Sequence, residues 1–437
     1  MKRFWLVLLS LALVMALSAS AFAVDVKFSG DFYAAGMYLD KTTVKKDTAT
    51  DGPSTAFYFQ RLRLQTDFIV SPGLSLTTRA DIMERAWGAA RSVPGAPAPL
   101  SEGTAAENQN IAFDRVYVTL ATQIGSFSAG YIPNSGWGTN FGNNFDQQGG
   151  VSYYNSIGKV WFGAAITKAS ENSRTALNAA VNYSDGDTDQ YYAYVGYSDK
   201  NFTVAVLYDY WLDASTRPAL NYKAAAHYVI PYFTAKFGPI AAEGELYYVF
   251  GKQAKNDSGV GDVTINEINV YLSAVATFGP VYVGGTFAYV MGDDPTTTDK
   301  AEGGWAAGGA AFNPCLILWN YDLTFWSGAI TGHGGSSNSN AMSNAWFYQV
   351  KGGVKPTDKL DIMASASYAT ADKVVAGWVS KDYGYEIDVV GTYKITNNLS
   401  YMLGLGYLIT GDYFKGTNNA AKVANDYLVI NKLTFTF

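Results

Sequence analysis

Cysteine is nearly missing from this sequence: Cys315 is the only one, and His227 and His333 are the only histidines. One cysteine excludes an internal disulfide, and the chain has no CxxCH pair for haem attachment. Neither histidine stands beside a nucleophile motif, so a hydrolase or histidine-metal centre is not expected, and the chain reads as a non-enzyme without a cofactor. Lys/Arg clusters are absent and acids outnumber bases, 37 to 31, which argues against a nucleic-acid surface. Past the first residues, no stretch approaches the ~18 consecutive apolar residues of a membrane-crossing helix. Asp185-Gly186-Asp187-Thr188-Asp189 superficially resembles a calcium loop, but Gln190 and Gly196 stand where that loop needs Gly and a bidentate Glu, so no metal site is expected.

What the chain has instead is aromatic residues, with 32 Tyr and 24 Phe, and a persistent alternation. From Tyr383, one parity carries Tyr385, Ile387, Val389 and Tyr393, and the other carries Glu386, Asp388 and Lys394. Tyr401, Leu403, Leu405, Tyr407 and Ile409 repeat the pattern, and the chain ends on Leu433, Phe435 and Phe437. Side chains alternate between the faces of a strand, so one face is apolar and the other polar. Strands of this length, with aromatics near their ends, predict an all-β transmembrane barrel, antiparallel and up-and-down, contacting membrane lipid.

Met1 to Ala23 stands apart. Lys2 and Arg3 precede an apolar run from Phe4 to Leu17, and Ala21-Phe22-Ala23 forms a cleavage site. Residues 1–23 read as a secretory signal peptide, and 24–437 as one barrel domain. Short turn signals fall at 71–73, 122–125, 156–159, 198–201, 237–239, 278–280, 355–359 and 396–400. Eight short turns alternating with nine longer polar loops predict 18 strands, with the short turns periplasmic and the long loops outside. Sixteen or twenty strands are the alternatives, because loop 292–344 is long enough to hide a hairpin around Cys315–Trp326; its apolar run Leu316–Trp319 fits a subunit contact, a lid or a strand equally. The span 174–184 is ambiguous and is placed in a loop.

In the second strand, Leu62, Leu64 and Phe68 share the lipid parity, which puts Arg61, Arg63, Gln65 and Asp67 inside. Arg79, Asp81 and Arg85 share the inward parity of the third strand, although Glu84 interrupts the other parity. Arg115 faces inward from the fourth. On the tenth to twelfth strands the inward parity carries Lys223, His227, Glu243, Glu245 and Glu267, and Pro231 predicts a bulge or weakened pairing. Arg61, Arg63, Arg79, Arg85 and Arg115 on one wall, against the glutamates on another, would set a transverse field that selects ions. The alternative is that each Arg pairs with a neighbouring acid and stiffens the wall. Loop 133–149 carries glycines to bend, Trp137, Phe141 and Phe145 to pack on a wall, and Asp146 to face bases. It is a candidate constriction, against the ordinary position of a loop at the surface.

A last strand ending in Phe437, with apolar residues at alternate positions before it, resembles that of Gram-negative outer-membrane proteins. The resemblance implies that Phe437 belongs to a signal read by the barrel-assembly machinery. Gly384–Asp388, Thr392-Tyr393-Lys394 and Gly411-Asp412-Tyr413 resemble the end of alginate-export-like barrels. The opening from Val24, Gln60–Gln65 and Trp87-Gly88 resemble homotrimeric diffusion porins, covering roughly residues 24–133 and the C-terminal strands. These resemblances imply a homotrimeric outer-membrane porin passing small hydrophilic solutes. Two alternatives stay open: a selective channel for acidic saccharides or organic anions, and a barrel sheathing a periplasmic partner protein.

Overall fold

The computed structural model describes residues 24–46, 52–89, 111–134, 136–172, 186–217, 222–257, 261–338, 341–374 and 376–437. The signal segment 1–23, the ambiguous span 174–184 and Asp185 lie outside the described residues. Eighteen long strands run β1 (Asp25–Leu39), β2 (Thr55–Ser71), β3 (Leu74–Ala86), β4 (Ile111–Thr122), β5 (Gly125–Pro133), β6 (Gln147–Ile157), β7 (Val160–Ser170), β8 (Thr188–Ser198) and β9 (Phe202–Asp213), then β10 (Tyr222–Phe237), β11 (Ile240–Asn256), β12 (Val263–Phe278), β13 (Val281–Val290), β14 (Ala345–Thr357), β15 (Leu360–Ala371), β16 (Asp382–Lys394), β17 (Leu399–Thr410) and β18 (Asp426–Thr436). Each pairs antiparallel with its sequence neighbours, and β1 pairs with β18 from Asp31↔Thr436 to Leu39↔Leu428. Closure leaves no sheet edge, so every strand's backbone finds partners without water. The eight short turns fall where the sequence places them; Gly158 and Gly238 sit there at φ 62 and 57, a conformation a Cβ would oppose.

The outer face explains where such a barrel is stable. Val116, Val118 and Leu120 on β4, Val204 and Val206 on β9, and Leu403 and Leu405 on β17 are all exposed. Leaving one such side chain in water costs about 1.5–3 kcal/mol relative to burying it. Repeated around the sheet, that cost is removed by lipid. Tyrosines bracket the belt: Tyr393 pairs with Tyr401 at the short-turn end, and Tyr407 with Tyr427 at the long-loop end. Amphipathic rings at both rims suit the two membrane interfaces. This is a transmembrane β-barrel.

The hairpin considered around Cys315–Trp326 is absent. That segment holds one short helix, α1 (Tyr321–Ser327), capped by the Asn320 side chain. Its neighbours Ile317, Leu318 and Trp319, at 0%, 0% and 1% exposure, belong to the largest buried apolar cluster together with wall residues Phe59, Phe347 and Tyr383. The barrel therefore has a core made of its own inward-folded loops. Pro231 interrupts the β10–β11 ladder between Val229↔Tyr248 and Tyr232↔Glu245 without shifting its register.

Candidate functional site in the barrel lumen

The basic wall comes first. Arg63 makes two 2.7 Å bonds to Asp81. Arg79 takes both oxygens of Asp114, with its Nε 2.9 Å from Oδ1. Arg61 lies 3.4 Å from Asp31, 3.9 Å from Asp81 and 3.8 Å from Glu84. Arg115 donates to Gln147 at 2.7 Å. Asp114 and Arg115 both face inward because β4 carries an extra residue opposite the step from Arg79 to Ala80. The wall is thus a ladder in which four guanidinium groups alternate with Asp31, Asp81, Glu84 and Asp114, rather than a uniformly positive surface.

Two parity readings need correction. Arg85 does not join this wall. Gln60↔Arg85 and Leu62↔Ile82 bracket a bulge at Met83, whose φ is 51. The extra residue turns Glu84 inward and Arg85 to the outer parity of Gln60, where it donates to the Ala89 carbonyl. His227 also faces outward. It stacks between Tyr210 and Phe250 at 4.8 and 5.1 Å and bonds the Tyr208 hydroxyl. Lys223 lies on the same parity of β10, beside a register shift at Lys223/Ala225. The inward face of β10 is the apolar one, with Tyr228, Ile230 and Tyr232, because inward loops rather than water cover it.

Loop 134–146 folds across the lumen. Trp137 packs edge-on against Trp161 and Tyr232, touches Tyr194, and donates its indole N–H to the Ile230 carbonyl beside Pro231. Glu245 accepts from the backbone and hydroxyl of Thr139, at 2.7 and 2.5 Å. Phe141 is fully buried against Tyr247, Tyr271 and Phe312. Phe145 and Asp146 face solvent, and Phe145 meets Tyr321 of α1 at 5.8 Å. Burial, then the negative charges of Glu84, Asp146 and Asp322, hold the Tyr321 hydroxyl above its usual range.

The long loop between β13 and β14 fills much of the remaining lumen, which the sequence left undecided. Glu267 accepts from the amides of Trp305 and Ala306 at 2.7 and 3.0 Å. Glu386 accepts from those of Ile317 and Leu318 at 2.6 and 2.7 Å. His333 ties the loop to the Lys422 carbonyl. Glu245 and Glu267, at 3% and 0% exposure, therefore face inward but anchor loops rather than line an open channel. Glu243 accepts from the Tyr271 hydroxyl at 2.7 Å beside a cavity of about 720 Å³ at the short-turn end. Glu386 offered no signal beyond an acid on the inward parity.

The two loops also bond each other: Gly309 donates to the Phe141 carbonyl at 2.6 Å, and Ala311 to that of Asn143 at 2.9 Å. A Cβ on Gly309 would lie 2.1 Å from the Asn143 carbonyl oxygen. Gly309→Ala is expected to part the loops and add conductance substates in single-channel records; one unaltered level would show that their contact does not set the constriction. Outside the lumen, Asp187 and Asp189 are engaged by Lys168. Phe437 exchanges backbone bonds with Gly30 at the closing seam and stacks on Phe435.

No family model and no curated protein matches the chain. Solved structures do. The barrel is similar to the outer-membrane protein OpdK of Pseudomonas aeruginosa (TM-score 0.51, 11% identity, covering 94% of this chain and 99% of that one), a protein also solved with vanillate. It is similar to OccK9 (OpdG) of the same organism (TM-score 0.53, 13% identity, 94% and 99% covered). It is also similar to OccAB4 of Acinetobacter baumannii (TM-score 0.51, 12% identity, 96% and 100% covered). At these identities the likeness concerns the fold.

Proposed function

We propose that this protein is a Gram-negative outer-membrane porin, through which small hydrophilic solutes and ions diffuse passively. The observation that carries the reading is a closed, lipid-faced barrel whose polar ladder looks across the lumen at two inward loops. In this reading Arg61 and Glu84 on one side, and Tyr321, Phe145 and Asp146 on the other, would bound the narrow passage. Width would set what enters, and the charged ladder would bias what passes. No step of this role needs catalysis. The short turns would then be periplasmic and Phe437 would lie at that end, where the assembly machinery reads it.

The arginine row and the OpdK structure with vanillate favour a second reading, a channel selective for small organic anions. The partner-sheath reading loses support, because the chain's own loops occupy the lumen. Planar-bilayer conductance of the purified protein under a salt gradient separates these. Stable steps, in threes for a homotrimer, with a modest reversal potential support the general porin. Saturable block by an added organic carboxylate supports the selective channel. Absence of any step would sink both.

A further inference from the structure

A second compartment lies farther round the barrel wall from the arginine ladder, beginning where β5 ends. It measures about 1060 Å³ and is enclosed by β6–β11 and the two inward loops. Among the described residues its lining contains no Lys, Arg or His, while Asp146 and Asp209 both contribute. Partly exposed rings dominate it: Trp161, Tyr192, Tyr194 and Trp211 from the wall, with Trp137 and Trp305 from the loops. They spread along the wall instead of closing around one point. Trp161 sits one residue past the short-turn end of β7, and Trp211 near the long-loop end of β9.

A polar chain runs into this aromatic surface. Asn134 Nδ2 donates to Gln190 Oε1 at 2.7 Å, and Gln190 Nε2 donates to Asp209 Oδ2 at 2.6 Å. Asp209 is only 7% exposed. Its Oδ1 and the Asn134 Oδ1 have no hydrogen-bond partner among the described residues. A buried acceptor left unmet costs about 1–3 kcal/mol, so a bound molecule that donates to both would recover that loss. An ionised carboxylate only accepts, so the ligand must supply the protons.

From these features we propose that the compartment binds neutral pyranose sugars. Vicinal hydroxyls would donate to Asp209 and Asn134, and the apolar C–H face of the ring would lie on the tyrosine and tryptophan faces. Clefts lined by aromatic rings with convergent polar groups among them are where small ligands bind, and the volume holds one or two sugar rings. A uronate presents its own carboxylate to Asp146 and Asp209 with no lining cation to offset the repulsion. The proposal rests on the channel reading only in needing solute to reach the lumen.

Tryptophan fluorescence of the full-length protein in detergent tests it, with glucose and maltose as probes and glucuronate and choline as comparisons. Saturating change with the neutral sugars is expected, with glucuronate at least ten-fold weaker. Asp209→Asn is expected to weaken sugar binding at least five-fold. Trp305→Leu, in a loop and outside the barrel ladder, should do the same if the wall variant fails to fold. No saturable response to either sugar overturns the site, as does glucuronate or choline binding as tightly as glucose. Because this readout needs no current, a protein that conducts but ignores sugars refutes the site alone. One that binds sugars but never conducts refutes the channel alone.

Discussion

Glu386→Ala should raise the rate of thiol labelling at Cys315 at least ten-fold and increase open-channel noise. Cys315 is the chain's single cysteine, 4% exposed, with its sulfur 3.3 Å from the Ser367 hydroxyl. Burial, and next the charges of Glu386 and Asp388, keep its thiol well above the ordinary range, so reagents find little thiolate in the intact barrel. The segment that carries it is pinned where Glu386 accepts from two consecutive amides, Ile317 and Leu318. A hydrogen bond to a charged group contributes about 1.5–3 kcal/mol, so losing two removes about 3–6 kcal/mol of tethering. Packing of Trp319 on Phe347 and of Trp326 on Phe59 remains, so the expected change is local opening, not loss of the loop. Removing one of two neighbouring buried carboxylates returns part of the loss, which is why the expected factor is about ten and not the hundred-fold to ten-thousand-fold that the bonds alone imply. Glu386→Gln keeps an acceptor and should fall between. Unchanged labelling in a variant that still migrates as a folded barrel would mean that apolar packing alone seats the loop.

How much could be read from sequence divides along one physical line. Strand number, the eight short turns and the faces of β2 and β4 were legible, since they depend on period-2 alternation and turn residues. Those signals hold wherever one face meets lipid. The inward side is different. The rule that polar residues face in assumes a water-filled lumen, and this lumen is partly filled by protein. On β10 that reverses the reading: Tyr228, Ile230 and Tyr232 face in under Trp137 and Trp305, and His227 faces out among rings. A bulge defeats parity in another way. Met83-Glu84-Arg85 placed charges on both parities in succession, which was the trace of the extra residue, but alternation alone does not say which of the two turns inward. The destination of Leu316–Trp319 was illegible because a lid, a contact and a plug need the same apolar run. The wall acids that receive loops, Glu245, Glu267 and Glu386, look in sequence like any lumen-facing acid.

That pairing changes what the arginine wall should do. If the guanidinium groups acted alone, the channel would prefer anions strongly. Interleaved with Asp31, Asp81, Glu84 and Asp114, they leave a near-neutral ladder, and the intact protein should show only a modest preference. Arg61→Ala, Arg63→Ala and Arg79→Ala together expose the other half. The four acids then face the passage with Arg115 as the remaining guanidinium of the set. Three charges removed at ~8 Å through water change a passing ion's energy by about 0.5 kcal/mol each, together about 1.5 kcal/mol and a factor of about ten. Screening over a Debye length of ~10 Å at 0.1 M salt reduces this to about three-fold per ion, and since anions lose what cations gain, the cation-to-anion ratio moves about ten-fold toward cations. The reversal potential under a potassium chloride gradient reads that ratio, and the shift should shrink as salt rises. The reciprocal variant, Asp31→Asn with Asp81→Asn and Asp114→Asn, should move the potential the other way by a similar amount. If both variants reverse at the wild-type potential while remaining folded and conducting, permeating ions do not pass this wall. The path would then run through the aromatic compartment farther round the wall, where Asp209 and Asp146 in place of the arginines would set the preference.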